Sequence, residues 1–159
     1  MNILLIHQYF LEEDDPGGSR WNEFSRIWTA AGHNVTVVAG MMHYNGHEKR
    51  AEYKGKYFVP KKQGDVTVWR CHVSEAYNKS FLGRLWGYFS FMFSALWAGL
   101  FKAKGQYDVV IVTSPPLFVG ITGYLISRLR RMPFVFEVRD LWPESAIDTG
   151  VLNNKLIIK

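Results

Sequence analysis

Cysteine is almost missing from this chain: Cys71 stands alone among 159 residues. An internal disulfide is thereby excluded, and so are thiolate metal clusters of the zinc-finger kind. A single thiol fits a reducing, cytoplasmic setting. No secretory leader is expected either, because Asn2-Ile3-Leu4-Leu5-Ile6 reads directly as a strand pattern, too short and too uncharged at its front for a signal. Acid is scarcer than base, with 14 Asp and Glu against 19 Lys and Arg, a net charge of +5 and a pI near 9.4. That balance favours acidic partners: nucleic acid, anionic lipid or phosphorylated small molecules. Charge alone does not choose among them. What is present is the composition of one globular domain, 48% hydrophobic and 21% charged, with an aromatic surplus of 16%.

Along the chain, short aliphatic runs alternate with helical patterns. Residues 2–7, 34–39, 66–71, 108–113 and 133–138 read as buried strands. Residues 19–31 carry Trp21, Phe24, Ile27, Trp28 and Ala31 at helical spacing, with Gly32 as the stop. Further helices are expected over 81–104 and 117–131. Residues 41–64 show no clean period and read as one long excursion, its basic stretch from Lys49 to Lys62 interleaved with Glu48 and Glu52 as in a solvated loop. Strand–helix alternation predicts a Rossmann-like three-layer α/β domain with a parallel sheet in the order 3-2-1-4-5. Ligands of such sheets bind beyond the carboxyl ends of the strands at the topological switch point, here between the turns after the first and fourth strands.

Common nucleotide fingerprints are absent at that place. His7-Gln8-Tyr9 follows the first strand where a dinucleotide site needs Gly-x-Gly-x-x-Gly, and Ala39-Gly40-Met41 closes the second strand where it needs an acid. No Gly-Lys-Ser/Thr triplet opens a helix, and Cys71-His72 stands where a phospho-receiver domain needs its aspartate. What remains is Pro16-Gly17-Gly18 at a helix start. Its amides and the helix dipole suit an anion, and a plain turn is the alternative. The acidic run Glu12 to Asp15 is compatible with an anion if it lies on an outer, mobile part of the loop.

The segment 81–101 holds a single charge, Arg84. Its small residues group by spacing, Gly83 with Gly87 and Ser90 with Ser94 and Ala98, so one narrow face can pack closely. Length and hydrophobicity approach a membrane span, but a span would separate the strands on either side of it. Two readings stay open: a crossover helix packed wholly in the core, or one that offers Trp86, Phe89, Phe93 and Trp97 to a bilayer surface.

Residues 134–145, Phe-Val-Phe-Glu-Val-Arg-Asp-Leu-Trp-Pro-Glu-Ser, carry a further signal. Together with the opening Ile3-Leu4-Leu5-Ile6-His7-Gln8-Tyr9-Phe10, the Pro-Gly-Gly turn, Gly32-His33, and Tyr107-Asp108 followed by Ser114-Pro115-Pro116, this segment resembles bacterial family-4 glycosyltransferases. The relatives in question build capsule, O-antigen and colanic-acid-type polysaccharides, and the resemblance covers essentially the whole chain.

The resemblance implies one half of a GT-B fold: residues 1–159 as the N-terminal, acceptor-side domain of a retaining transferase. The donor-binding C-terminal domain would be absent from this chain, which is therefore expected to be inactive alone. It further implies a nucleotide-diphosphate sugar as donor and a lipid-linked or saccharide acceptor. No metal, no cofactor and no nucleic acid are expected to take part. Gly17 and Gly18 map onto the turn that meets the donor diphosphate. Many relatives have His-Asp where this chain has Arg139-Asp140, so Asp140 carries over as a positioning or electrostatic group beside Arg139. Ser114 and Glu144 are the acceptor-side candidates, and Arg139 and Glu144 can equally be a salt-linked loop lock. The expected location is cytoplasmic, with attachment to the inner face of the membrane through the 81–101 helix. A non-catalytic membrane-binding module with the same core is the competing function.

Overall fold

The structure, a computed structural model, describes residues 1–42, 49–78 and 81–139. Six strands form one sheet in the order β3-β4-β2-β1-β5-β6: β1 Asn2–Ile6, β2 Asn34–Gly40, β3 Phe58–Gln63, β4 Val66–Cys71, β5 Val109–Thr113 and β6 Phe134–Glu137. Five of them are parallel and reproduce the order expected from the aliphatic runs. The sixth is a correction. Residues 58–63 are not part of a structureless excursion but pair antiparallel with β4, from Phe58 opposite Cys71 to Gln63 opposite Val66. Phe-Val-Pro-Lys-Lys-Gln hides its strand character because Pro60 cannot donate to a ladder and two lysines break the apolar run. Both are tolerated on an edge strand, and both protect that edge from further pairing.

Alternation along the strands splits the core into two layers. Leu4, Ile6, Val38, Val110 and Val112 face one side with Phe91, Ala95 and Ile126. Ile3, Leu5, Val35, Val37 and Val68 face the other with Trp21 and half-buried Trp28. Helices α2 (Phe81–Trp97) and α3 (Val119–Arg130) cover the first side, and α1 (Arg20–Ala30) packs on the second. In α1 the buried face is Trp21 and Ser25 rather than the whole expected apolar set: Ile27 is 51% exposed and Phe24 37%. Five apolar positions spread over more arc than one helix can bury against a sheet. The helix ends through a Schellman turn, with the His33 amide on the Trp28 carbonyl and the Gly32 amide on the Thr29 carbonyl.

The α2–α3 layer packs through small residues. Gly83, Gly87, Ser94 and Ala98 are buried, as the spacing predicts. Helix α2 then widens into a single π turn over Ala98–Lys102, and the carbonyls of Gly99 within it and Ala103 just after it each accept from Arg130 Nη1 at 2.8 Å. On α3, a Cβ built at Gly123 would stand 2.2 Å from Val112 Cγ2. Only the missing side chain lets α3 sit that close to β5.

Candidate functional site

Four chain segments converge at the carboxyl edge of the sheet, where winding reverses between β1 and β5. His7 and Gln8 leave β1, residues 17–20 open α1, Thr113 and Ser114 end β5, and Glu137 to Arg139 end β6. Glu137 ties them together. Its carboxylate accepts from Thr113 Oγ1 at 2.7 Å and pairs with the guanidinium of Arg20. The Ser114 amide donates to the Glu137 carbonyl at 3.0 Å, and Ser114 Oγ accepts the Arg139 amide at 2.8 Å. The first turn of α1 is thus fastened to β6 across 117 positions of sequence.

Three guanidiniums bear on His7 at this edge, two of them paired with Glu137 and Glu12. His7 is only 4% exposed, and its Nδ1 has no hydrogen-bond partner among the described residues. Burial, followed by the charges of Arg139, Arg20 and Arg70, lowers its pKa from 6.5 to about 3. The imidazole therefore stays neutral at physiological pH. The Trp21 ring lies 6.5 Å from His7, and the Arg20 guanidinium sits 5.6 Å above that ring. Gln8 Oε1 and Trp21 Nε1 are also buried without a partner among the described residues. Unpaired polar atoms are costly in a closed core.

Gly17 and Gly18 differ from each other. Gly17 has φ of 99°, a left-handed turn that glycine adopts without strain. Gly18 has no such backbone, and a Cβ there would meet no heavy atom within 4 Å among the described residues. The fold alone gives no reason for glycine at 18. The next residue, Ser19, is the N-cap but makes no side-chain capping bond, so the amides opening α1 are not taken by it.

The acidic run before the glycines is outer only in part: Glu13 and Asp14 are exposed, whereas Glu12 turns inward and Asp15 is half-buried. Glu12 is buried, with Tyr53 Oη donating to Oε1 and Lys61 Nζ 3.3 Å from Oε2. Arg70 Nε lies 3.0 Å from Glu12 Oε1, an ion-pair distance without the alignment of a hydrogen bond. Glu13 accepts the Gly64 amide at 3.1 Å, and Asp14 and Asp15 both pair with Arg50. Arg70 also clamps the chain from the other side, donating to the carbonyls of Phe10 at 2.5 Å and Leu11 at 3.1 Å. The basic stretch read as a solvated loop is the counter-charge of this run. Glu12, Asp14 and Asp15 are thus paired with cations of this domain, while Arg20 at the glycine turn is paired with Glu137.

Of the residues singled out in the sequence, Gly17, Gly18, Ser114 and Arg139 meet at this edge, and Arg139 is exposed there. Ser114 is 1% exposed and spends its hydroxyl on the Arg139 amide. Asp140 and Glu144 lie outside the described residues. Trp86, Phe93 and Trp97 are 53–58% exposed on α2, whereas Phe89 is half-buried against Phe118, ring centroids 5.0 Å apart. Phe89 therefore leaves the outward-facing set. Arg20, Glu137 and His7 were not singled out. His7 follows the first strand at the switch point, a positional signal open to inspection, but the Arg20–Glu137 pair had none.

Fold and edge together define a Rossmann-like α/β domain whose switch point gathers His7, Arg20, Glu137 and Arg139. Residues 17–153 match the family model described as a glycosyl transferase 4-like domain, and the chain belongs to that family. The putative colanic acid biosynthesis glycosyl transferase WcaI of Escherichia coli (strain K12) is 26% identical over 125 residues, 78% of this chain and 30% of that protein. The chain thus spans less than a third of the relative's length.

Proposed function

We propose that this chain is the acceptor-side half of a retaining, metal-independent glycosyltransferase. The whole protein would move a sugar from a nucleotide-diphosphate donor to a lipid-linked or saccharide acceptor in cell-envelope polysaccharide synthesis. It would do so in the cytoplasm. The observation that carries this reading is Gly18, a glycine the fold does not need, in front of a helix N-terminus that opens with Arg20, with Arg139 bearing on nearby His7. Open space and unblocked amides are what a diphosphate requires in order to approach the backbone.

In this reading a second domain of the whole protein grips the nucleotide and brings its diphosphate to the Gly17–Gly18 turn. The α1 amides and dipole stabilise the charge that grows on the diphosphate as the glycosidic bond breaks. Glu137 and Thr113 hold Arg20 at the mouth of the turn, so its charge is positioned before substrate arrives. The donor phosphate itself helps deprotonate the acceptor hydroxyl on the same face, and Asp140 orients or steadies that reaction. Ser114 holds Arg139 and the end of β6, with Glu144 assigned to the acceptor side. The similarity to a colanic acid transferase supports the polysaccharide setting.

The test is sugar transfer by the whole protein, expressed from its complete reading frame, with a panel of radiolabelled nucleotide sugars and envelope lipid extract. Transfer with retained anomeric configuration supports the reading, as does its loss in a protein of residues 1–159. Binding to lipid without transfer from any donor would favour the non-catalytic module, and turnover by residues 1–159 alone would contradict the two-domain account.

A further inference from the structure

The outer side of the α2–α3 layer is left apolar over two helices rather than one. On α2 and its π turn, Trp86, Phe93, Trp97 and Phe101 are 53–58% exposed. On α3, Ile121 and Leu129 are 51% and 66% exposed. The helices are neighbours in a single layer, joined by Thr122 Oγ1 donating to the Met92 carbonyl at 3.0 Å and by Gly99 against Ile126. Their outward stripes therefore form one continuous face, far broader than the scattered apolar residues of an ordinary surface.

Charge along these two helices has one sign, with Glu75 the acid of the neighbouring 75–78 turn. From 81 to 107 and again from 109 to 136 the sequence contains no Asp or Glu. It does contain Arg84, Lys102, Lys104, Arg128, Arg130 and Arg131. Lys104, Arg128 and Arg131 are exposed where α2 ends and α3 ends, at the same rim of the layer. A protein partner's apolar patch would not ask for carboxylates to be excluded over two whole helices. An anionic bilayer would: aromatic and aliphatic side chains enter the headgroup boundary while lysine and arginine meet lipid phosphates. No helix among the described residues is long and apolar enough to cross a membrane, so the contact lies along the surface.

We propose that the joined outer faces of α2 and α3 seat this domain on an anionic lipid surface, with Trp86, Phe93, Trp97, Ile121 and Leu129 in the headgroup boundary and Arg128 and Arg131 on lipid phosphates. The proposal does not depend on sugar transfer, and its test reads no activity.

The whole protein is mixed with vesicles of phosphatidylglycerol and phosphatidylethanolamine, or of phosphatidylcholine alone, and floated on a density gradient. Flotation is expected with the anionic vesicles and at least tenfold weaker with phosphatidylcholine or in high salt. The triple variant Trp86→Ser, Phe93→Ser, Trp97→Ser should lose at least tenfold in partitioning, and Arg128→Glu with Arg131→Glu should lose the preference for anionic lipid. Should the triple variant fail to fold, brominated lipids decide on the wild type: quenching of tryptophan emission is expected. Equal flotation of wild type and variants would overturn the proposal. So would absence of quenching, or a lipid-free dimer that the serine variant dissolves while the wild type ignores vesicles.

Discussion

Replacing His7 by Asn should flatten the pH dependence of stability, and the size of the effect follows from the site. The imidazole is sealed beneath the carboxyl edge with Arg139, Arg20 and Arg70 bearing on it, which brings its pKa from 6.5 to about 3. Between those values the unfolded chain binds a proton that the folded chain refuses, so folding loses stability as pH falls through 6.5, and the loss is complete near pH 3. At pH 7 the penalty is close to nothing. At pH 5 the unfolded histidine is almost wholly protonated and the folded one is not, which costs about 2 kcal/mol. His72, whose pKa is also lowered by burial and by Lys49, titrates in wild type and variant alike and cancels in the comparison. Asn keeps a neutral polar group at the position, although the smaller side chain will itself cost some stability at every pH. The assay is urea unfolding followed by circular dichroism at pH 7, 6 and 5. Wild type should lose about 2 kcal/mol more than His7→Asn between the first and the last. Parallel curves would refute the claim that His7 is held neutral.

Gly123→Ala should destabilise the domain by about 1–3 kcal/mol in thermal unfolding, because the new Cβ meets Val112 at 2.2 Å; a gain, as helix propensity alone predicts, would show that α3 can slide away from β5. Arg70→Met should cost about 3–5 kcal/mol in urea, since Glu12 is left buried beside an apolar side chain. Adding Glu12→Gln to Arg70→Met should recover part of that loss, and simple additivity would mean the two residues do not act as a pair.

Much of the scaffold was legible because it is written locally. Leu4-Leu5-Ile6 and Val109 to Val112 are continuous aliphatic runs of strand length, and their alternation with helical patterns leaves few topologies. The small residues of α2 recur at helical spacing, so its packing face could be drawn before its partner was known. What escaped notice depends on contacts distant in sequence. Glu12 looked solvent-bound until the β3–β4 hairpin brought Lys61 and Arg70 back over it, and β3 itself was masked by Pro60 and its lysines. Arg20 and Glu137 are ordinary charged residues in isolation; only the sheet order makes them neighbours. Phe24 and Ile27 fit the helical period of α1 yet lie on its flanks, because the period counts apolar residues without knowing how wide a face the sheet offers.

Gly18→Ala tests the Gly17–Gly18 turn as a diphosphate site most directly. Alanine at 18 meets no described atom and needs no left-handed backbone, so the variant should fold with an unchanged melting temperature. Titrating the whole protein with a nucleoside diphosphate by calorimetry should then show at least tenfold weaker binding for Gly18→Ala than for wild type. Equal affinity at equal stability would contradict the account and leave the glycines as a plain turn.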